Sequence, residues 1–279
     1  MKMSKDILPF FKTELQSIYS DNEIDSLAFW SIDFILKFSR SQWLLKSNYP
    51  LSNEVINFFE EVVKRLKKHE PIQYIFGECE FNGLMFKVSL ACLIPRPETE
   101  ELIRWIIEGD FKNGLDIGTG SGCIAISLAK FSNIKMHALD ISAEALEIAK
   151  HNAIKNNVSI NFMKHDIFED LSNKHKFDFI VSNPPYVLES EKSKMKQNVL
   201  DFEPELALFV DDNNALLYYK RIVEFSKENL NDGGVLFFEI NEQKAFEIKD
   251  LLEKNSFQDI LIKKDMQGKN RMVKAVWKL

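Results

Sequence analysis

The apolar positions in the first quarter of the chain recur at helical spacing: Leu27, Trp30, Ile32, Ile35 and Leu36, then Val55, Ile56, Phe59, Val62, Val63 and Leu66. Residues three and four apart share one face of a helix, so Ser4 to His69 reads as a small helical unit. Its last helix is expected to end at Lys67-Lys68-His69, cations that suit a helix C-terminus, before Pro71, which has no amide hydrogen with which to continue it. The period then changes. From Ile75-Phe76-Gly77 to Phe86-Lys87-Val88, two partly alternating stretches flank Asn82-Gly83, a pair suited to the left-handed conformation of a tight hairpin turn. A hairpin here is expected to bridge two domains. Ile94-Pro95-Arg96-Pro97-Glu98-Thr99-Glu100 follows, with prolines holding an extended approach and acidic residues suited to the positive end of a helix from about Glu98 to Glu108.

Beyond this point short apolar runs alternate with helical patterns: Leu115 to Ile117, a helix to Phe131, Lys135 to Leu139, a helix Ala143 to Asn156, and Ile160 to Met163. Phe177 to Val181, a helix near Ala215 to Leu230, Val235 to Ile240, a helix near Gln243 to Lys254 and two C-terminal strands complete the series. Such alternation predicts an α/β fold: an open, doubly wound, mostly parallel sheet with helices on both faces. The expected organisation is a helical domain over 1–72, a β-hairpin linker over 73–92 and a catalytic domain over 93–279. Phe111-Lys112-Asn113-Gly114-Leu115 is less apolar than a buried central strand usually is, which predicts that the first strand is short. Val187 to Asn214 is long, polar and lysine-rich, and reads as a functional loop.

Composition narrows the classes. A chain of 279 residues that is 45% hydrophobic supports a large domain with a small companion. The short apolar patch Ile7 to Phe11 is too brief for a signal h-region or a membrane span, so a soluble, cytoplasmic protein is expected. Cys79, Cys92 and Cys123 are odd in number and form no C-x-x-C pair, so no disulfide framework and no metal site are expected. With 36 Lys plus Arg against 42 Asp plus Glu, the net charge of −6 opposes stable nucleic-acid binding, a local basic patch aside.

Asp116-Ile117-Gly118-Thr119-Gly120-Ser121-Gly122 stands where the first strand turns into the first helix. Glycines let backbone approach a ligand closely, and ligands of open sheets bind at such strand ends. Taken alone the run also fits an ordinary glycine-rich turn. Cys123 occupies the position of the third glycine of a dinucleotide fingerprint, so the spacing opposes a nicotinamide cofactor. Asp140 ends the next strand at the distance expected of a ribose-binding carboxylate, while Ser142 supplies the cap of the helix after it. These residues resemble the class I S-adenosylmethionine-dependent methyltransferases. The resemblance implies that Asp116 and Gly118 to Gly122 border the amino-acid end of S-adenosylmethionine and that Asp140 holds its ribose. It places Asp166 and Ile167, in Lys164-His165-Asp166-Ile167-Phe168, beside the adenine, although a strand-end turn explains that pair equally well.

Phe177 to Ser182 runs straight into Asn183-Pro184-Pro185-Tyr186. An amide or exocyclic amine is a poor nucleophile because its lone pair is delocalised, so an enzyme that alkylates it must position the nitrogen and favour its developing charge. The Asn183 side-chain carbonyl and the Pro184 backbone carbonyl can each accept a hydrogen bond from one NH2 group. Pro185 stiffens the turn, and Tyr186 offers an aromatic face to a planar group. Asn183 is also expected to border the cofactor. Asn-Pro-Pro-Tyr resembles both adenine and glutamine-amide methyltransferases, and does not separate them.

Other segments do. Pro71-Ile72-Gln73-Tyr74-Ile75-x-Gly77, Phe81-x-Gly83-x-x-Phe86-x-Val88, Ile94 to Glu100 and Phe202-Glu203-Pro204-Glu205-Leu206-Ala207-Leu208 together resemble the release-factor glutamine methyltransferase family across nearly the whole chain. The resemblance implies a protein substrate, the glutamine of a release factor's Gly-Gly-Gln loop, with S-adenosylhomocysteine as the second product and the N-terminal helices helping to hold that protein. Arg96, Glu98 and Thr99 are expected near the substrate, or else serve as a helix start. Lys192, Lys194 and Lys196 leave open an adenine methyltransferase that touches a nucleic-acid backbone, or form a solvated face. A non-catalytic cofactor-binding module is the remaining alternative, because fold does not fix function.

Overall fold

The computed structural model describes residues 1–170 and 175–278. They form two compact units: 1–77 together with 196–202, and 78–195 together with 203–278. In the first, helices Ile7–Leu15, Asp21–Leu36 and Asn53–Leu66 bury Ile7, Phe11, Leu15, Ile24, Ala28, Ile32, Phe59, Val62 and Leu66 against one another. Ser52 opens the last of these by accepting a hydrogen bond from the Val55 amide, and the helix closes at Leu66 ahead of Lys67. The sequence reading placed Ile75 and Phe76 at the start of a hairpin strand. They close a single helical turn, Ile72–Phe76, which Gly77 ends at φ 70°. Five residues are too few to display a period.

The second unit opens with a hairpin of β1 (Glu78–Phe81) and β2 (Leu84–Lys87), joined by Asn82 at φ 50° and Gly83 at φ 72° as the type I′ turn demands. Helix Pro97–Ile107 leads to β3 (Asn113–Ile117), helix Cys123–Phe131, β4 (Lys135–Asp140), helix Ala143–Lys155, β5 (Asn161–Lys164) and β6 (Phe177–Ser182). The segment read as a long loop contains β7 (Val187–Leu188), the short helix Gln197–Phe202, which belongs to the first unit, the short helix Glu205–Leu208, and β8 (Phe209–Val210), which pairs with β7 in parallel. Helix Leu217–Asn229, β9 (Leu230–Glu239), helix Ala245–Lys254, β10 (Phe257–Lys264) and β11 (Asn270–Trp277) complete the unit.

Among the described residues seven strands make one sheet in the order β10-β11-β9-β6-β3-β4-β5. The pairs from β9 to β5 are parallel; at one edge β11 runs antiparallel to β9, and β10, antiparallel to β11, returns to the direction of the rest. The chain reverses its direction of travel across the sheet between β3 and β6, so the loops leaving these two strands diverge and leave a crevice at their carboxyl ends. β3 is short, as its polarity predicts, and Gly114 has a packing reason. A Cβ on it would stand 2.2 Å from the Phe179 ring, which lies against Phe111 and Phe237.

Candidate active site

The turn from β3 into helix Cys123–Phe131 is held from three sides. Gly118 and Thr119 amides donate to the Leu139 carbonyl at the end of β4, at 2.9 and 3.0 Å. The Gly120 amide donates to Asp140 Oδ2 at 2.8 Å. Asn152, fully buried in helix Ala143–Lys155, donates to the carbonyls of Ser121 and Lys87 and accepts from the Lys87 amide, tying the loop to the hairpin. Gly118 and Gly120 have φ of 71° and 54°, a region that side chains other than hydrogen rarely tolerate. Sequence reasoning missed Asn152; its signal was a polar residue on a helix face otherwise made of Ala145, Ala149 and Ala153.

A cavity of about 660 Å³ opens above this loop, within the usual range for small-molecule sites. Gly118, Thr119, Gly120, Ser121, Asp140, Asp166, Ile167, Asn183, Pro184, Pro185 and Arg96 all contribute to its wall. Leu90, Ile141, Phe168 and Tyr218 add apolar and aromatic surface to which the sequence reading gave no role. Asp140 accepts from Gly120 and, through Oδ1, from the Ser142 amide, yet each carboxylate oxygen keeps a further lone pair. Burial pushes its carboxyl pKa up, against the hydrogen bonds from Ser142, Gly120 and Ile141 amides. Asp166 turns one oxygen to the Phe168 amide in a local turn and also lines the cavity.

Four expected site residues do not line this cavity. Asp116 is wholly buried beneath the loop, where its Oδ2 accepts from Thr119 Oγ1 at 2.6 Å and from the Ala125 amide at 3.3 Å. Its other oxygen has no hydrogen-bond partner, and burial raises the carboxyl pKa to about 7. Gly122 faces helix Ala143–Lys155: a Cβ there would meet Ile126 Cδ1 at 2.8 Å and Ala149 Cβ at 3.1 Å. Glu98 lies away from the cavity with Gln267 Nε2 at 3.4 Å from its carboxylate. Tyr186 lines a second, smaller cleft of about 50 Å³ with Asn183, Pro184, Arg96 and Glu239.

Asn183 and Pro184 border both spaces, at the point where β6 ends. The floor there is fixed by Ser182 Oγ, which donates to the Ile117 carbonyl at 2.8 Å and so locks the end of β6 to the end of β3. Arg96 does not project a free charge. One terminal nitrogen lies 2.6 Å from both carboxylate oxygens of buried Glu203, which joins the Ile94 to Glu100 segment to the Phe202 to Leu208 segment.

Thr99 and Tyr186 meet at Glu239, a residue missed in the sequence, where a lone acidic residue ending the apolar run Val235-Leu236-Phe237-Phe238 was its only signal. Thr99 Oγ1 donates to Glu239 Oε2 at 2.6 Å and Tyr186 Oη donates to Oε1 at 3.1 Å. Burial raises the pKa of this carboxyl, opposed by the Thr99 hydrogen bond and by the charge of Arg271. In the long segment, Lys192 pairs with Glu189 at 2.7 Å and covers the Phe209 ring, which removes it from a free basic face. Lys196, in the first unit, pairs with Glu23 at 3.2 Å.

Among the described residues no helix is long and apolar enough to cross a membrane, and no cluster of His, Cys, Asp or Glu could hold a metal ion. Residues 98–202 match the family described as methyltransferase small domain, and residues 6–77 match the PrmC N-terminal domain. A solved structure, a methyltransferase from Pyrococcus furiosus, superposes with a TM-score of 0.55 at 20% identity over 77% of this chain and 98% of that one, a likeness of fold. A Bacteroides thetaiotaomicron protein named release factor glutamine methyltransferase is 42% identical over 96% of this chain and 98% of its own length. A Flavobacterium psychrophilum protein of the same name is 44% identical over 95% of this chain and 96% of its own. At that identity across nearly the full length of both sequences, this chain belongs to the release factor glutamine methyltransferase family.

Proposed function

We propose that this chain transfers a methyl group from S-adenosylmethionine to the side-chain amide nitrogen of the glutamine in the Gly-Gly-Gln loop of a peptide-chain release factor. The observation that carries the reading is the junction at Asn183 and Pro184, which border the large cavity on one side and the small cleft on the other. A donor in the large cavity and an amide in the cleft would meet there. The relatives' shared name supports the substrate, and their match includes the N-terminal helices, to which the reading gives the task of holding the release factor.

The residues present suit S-adenosylmethionine. Its sulfonium and ammonium groups are cationic, and Asp140 and Asp166 line the cavity while Asp116 lies buried under its floor with one oxygen unsatisfied. Ile141, Ile167 and Phe168 give apolar cover for an adenine ring. When bound, the cofactor supplies a methyl group on a sulfonium sulfur, already activated toward in-line attack.

This chain's residues do the rest by placement. The Asn183 side-chain carbonyl and the Pro184 carbonyl accept the two N–H bonds of the substrate amide, orienting its nitrogen toward the junction and stabilising the positive charge that grows on it as the new N–C bond forms. No tuned general base is needed, because the alkylated nitrogen is acidic enough to release its proton to water. Pro184 and Pro185 keep the turn from relaxing, since each fixes its own φ. The cleft's small volume suits a slender aliphatic amide better than a purine, and Lys192 is paired with Glu189. Release factors act in the cytoplasm, the compartment this reading assigns.

The test is intact-mass spectrometry of a purified release factor after incubation with the enzyme and S-adenosylmethionine, followed by peptide mapping. One added methyl on the Gly-Gly-Gln glutamine is expected, and is lost with Asn183→Ala. An unmodified release factor, with cofactor binding established by calorimetry, would sink the substrate assignment.

A further inference from the structure

The sequence assigns Tyr186 the part of an aromatic face for a planar group, and a face is useful only if its orientation is fixed. Nothing in the Asn183-Pro184-Pro185-Tyr186 sequence fixes it, because the Tyr186 ring turns about two side-chain bonds. Glu239 and Asn241 meet Tyr186 directly, and other groups brace them. Glu239, at the last position of β9 and 1% exposed, accepts from Tyr186 Oη at 3.1 Å. Thr99, in helix Pro97–Ile107, donates to the other oxygen of the same carboxylate at 2.6 Å. Tyr219 Oη donates to the Glu239 backbone carbonyl at 3.1 Å, which fixes the strand end itself. Asn241 Nδ2 donates to the Tyr186 carbonyl at 3.3 Å. Arg271, held by Asp265 at 3.1 Å, directs its positive charge at both Tyr186 and Glu239.

A buried carboxylate costs several kcal/mol unless it is paired, so its retention at this place needs a reason beyond packing. An apolar residue of similar volume would suit the end of the run Val235 to Phe238 at least as well. We propose that Glu239 is a positioning residue: it holds the Tyr186 ring upright against the cleft beside Asn183, with Thr99 locking the carboxylate from behind. The proposal rests on the reading of the cleft as the amide's place. Glu239 needs no contact with the transferred methyl or with the cofactor, whose cavity wall does not include it.

The test uses the full chain and a whole release factor. Glu239→Ala is expected to lower kcat about tenfold or more, the scale of a slight misplacement at a reacting centre, while the Kd for S-adenosylmethionine by calorimetry stays within about twofold. Glu239→Gln, which keeps an oxygen for Tyr186 and an amide for Thr99, recovers most of that loss. Tyr186→Phe cuts the same hydrogen bond from the other end, and adding it to Glu239→Ala lowers kcat no further. Losses that multiply in the double variant, or a wild-type kcat in Tyr186→Phe, would overturn the proposal; the latter decides the matter even if Glu239→Ala does not fold. A second readout needs no substrate. The Tyr186 ring resonance in tyrosine-labelled protein, assigned with Tyr186→Phe, is expected to move and sharpen toward a freely flipping ring in Glu239→Ala. An unmoved resonance refutes the positioning role, whereas a wild-type enzyme that leaves the release factor unmodified refutes only the substrate reading.

Discussion

Arg96 and Glu203 are 107 residues apart in sequence and share a contact in which one guanidinium nitrogen reaches both carboxylate oxygens at 2.6 Å. Glu203 is almost wholly buried, whereas a third of the Arg96 side chain remains open to solvent. Removing the arginine therefore leaves a carboxylate in a place that water cannot reach. Arg96→Ala is expected to destabilise the protein by about 2–3 kcal/mol, somewhat below the range for a fully buried pair because Arg96 is partly solvated. Urea denaturation reads the loss. Glu203→Gln in the same chain should restore at least half of it, and a double variant no better than the single would mean that the pair contributes through packing alone.

Asn183 is expected to matter to turnover far more than to folding. Its side chain borders both spaces at the end of β6, and the sheet beneath is held by backbone pairing and by Ser182, not by Asn183 itself. Asn183→Ala should lower kcat by about 10²–10³, the range seen when one preorganised group is taken from a developing charge. The melting temperature should stay within about 2 °C, as for a partly exposed site with no buried partner. Rapid-quench single-turnover kinetics on the release factor measure the chemical step directly, and a rate unchanged there would remove Asn183 from the mechanism.

The alternation of apolar runs with helical patterns was enough to read the parallel sheet, because the central strands β3 and β6 are mostly buried and the helices Cys123–Phe131 and Ala143–Lys155 are long enough to show their period. The hairpin turn was legible for a different reason: Asn82-Gly83 answers a local backbone demand that only a few residue pairs meet. What escaped was either too short or too distant. Ile72–Phe76, Val187–Leu188 and Phe209–Val210 contain fewer residues than a period needs. Glu203 and Glu239 act through partners 107 and 140 residues away, and no spacing rule connects such positions. Asp116 was read as a ligand contact because of its place before the glycines. Its side chain turns to Thr119 and Ala125, whose Oγ1 and amide donate to one of its oxygens beneath the loop.

That burial gives Asp116 a pH signature. Its folded-state pKa, about 7, lies above its unfolded value of 3.8, so the folded chain holds the proton more tightly than the unfolded one. Stability from this group is therefore greatest at low pH and declines as pH rises from about 4 to about 7. Asp116→Asn keeps an oxygen for Thr119 and Ala125 and has no charge to bury. The variant's melting temperature should gain on the wild type between pH 5 and pH 8, as followed by calorimetric scans across that interval. Above pH 7, where the carboxyl is ionised, the same variant should bind S-adenosylmethionine about tenfold more weakly, a loss of about 1.4 kcal/mol of attraction for a cationic ligand. Parallel stability profiles for the two proteins would show that the carboxyl is ionised throughout the interval in the folded chain, as it is in the unfolded one, and that burial does not raise its pKa.

Gly114 offers a test of the packing under the site. It sits in β3 with the Phe179 ring of β6 where its side chain would be, at a notional Cβ to ring distance of 2.2 Å. The ring cannot retreat, since Phe111 and Phe237 flank it with centroids at 5.0 and 6.1 Å and its own side chain is fully buried. Gly114→Ala should therefore cost about 1–3 kcal/mol through forced rotamers and strand displacement. Phe179→Leu alone should also cost stability, because it leaves space among aromatic neighbours. Combined, the two changes relieve each other, and the double variant should be more stable than the sum of the single losses predicts, by about 0.5–3 kcal/mol for residues in contact. Additive losses in denaturant titrations would mean that β3 and β6 accommodate the methyl by separating. In that case the Ser182 to Ile117 hydrogen bond would lengthen, and the separation should appear as a weaker cofactor affinity, since these two strand ends carry the glycine loop and Asn183.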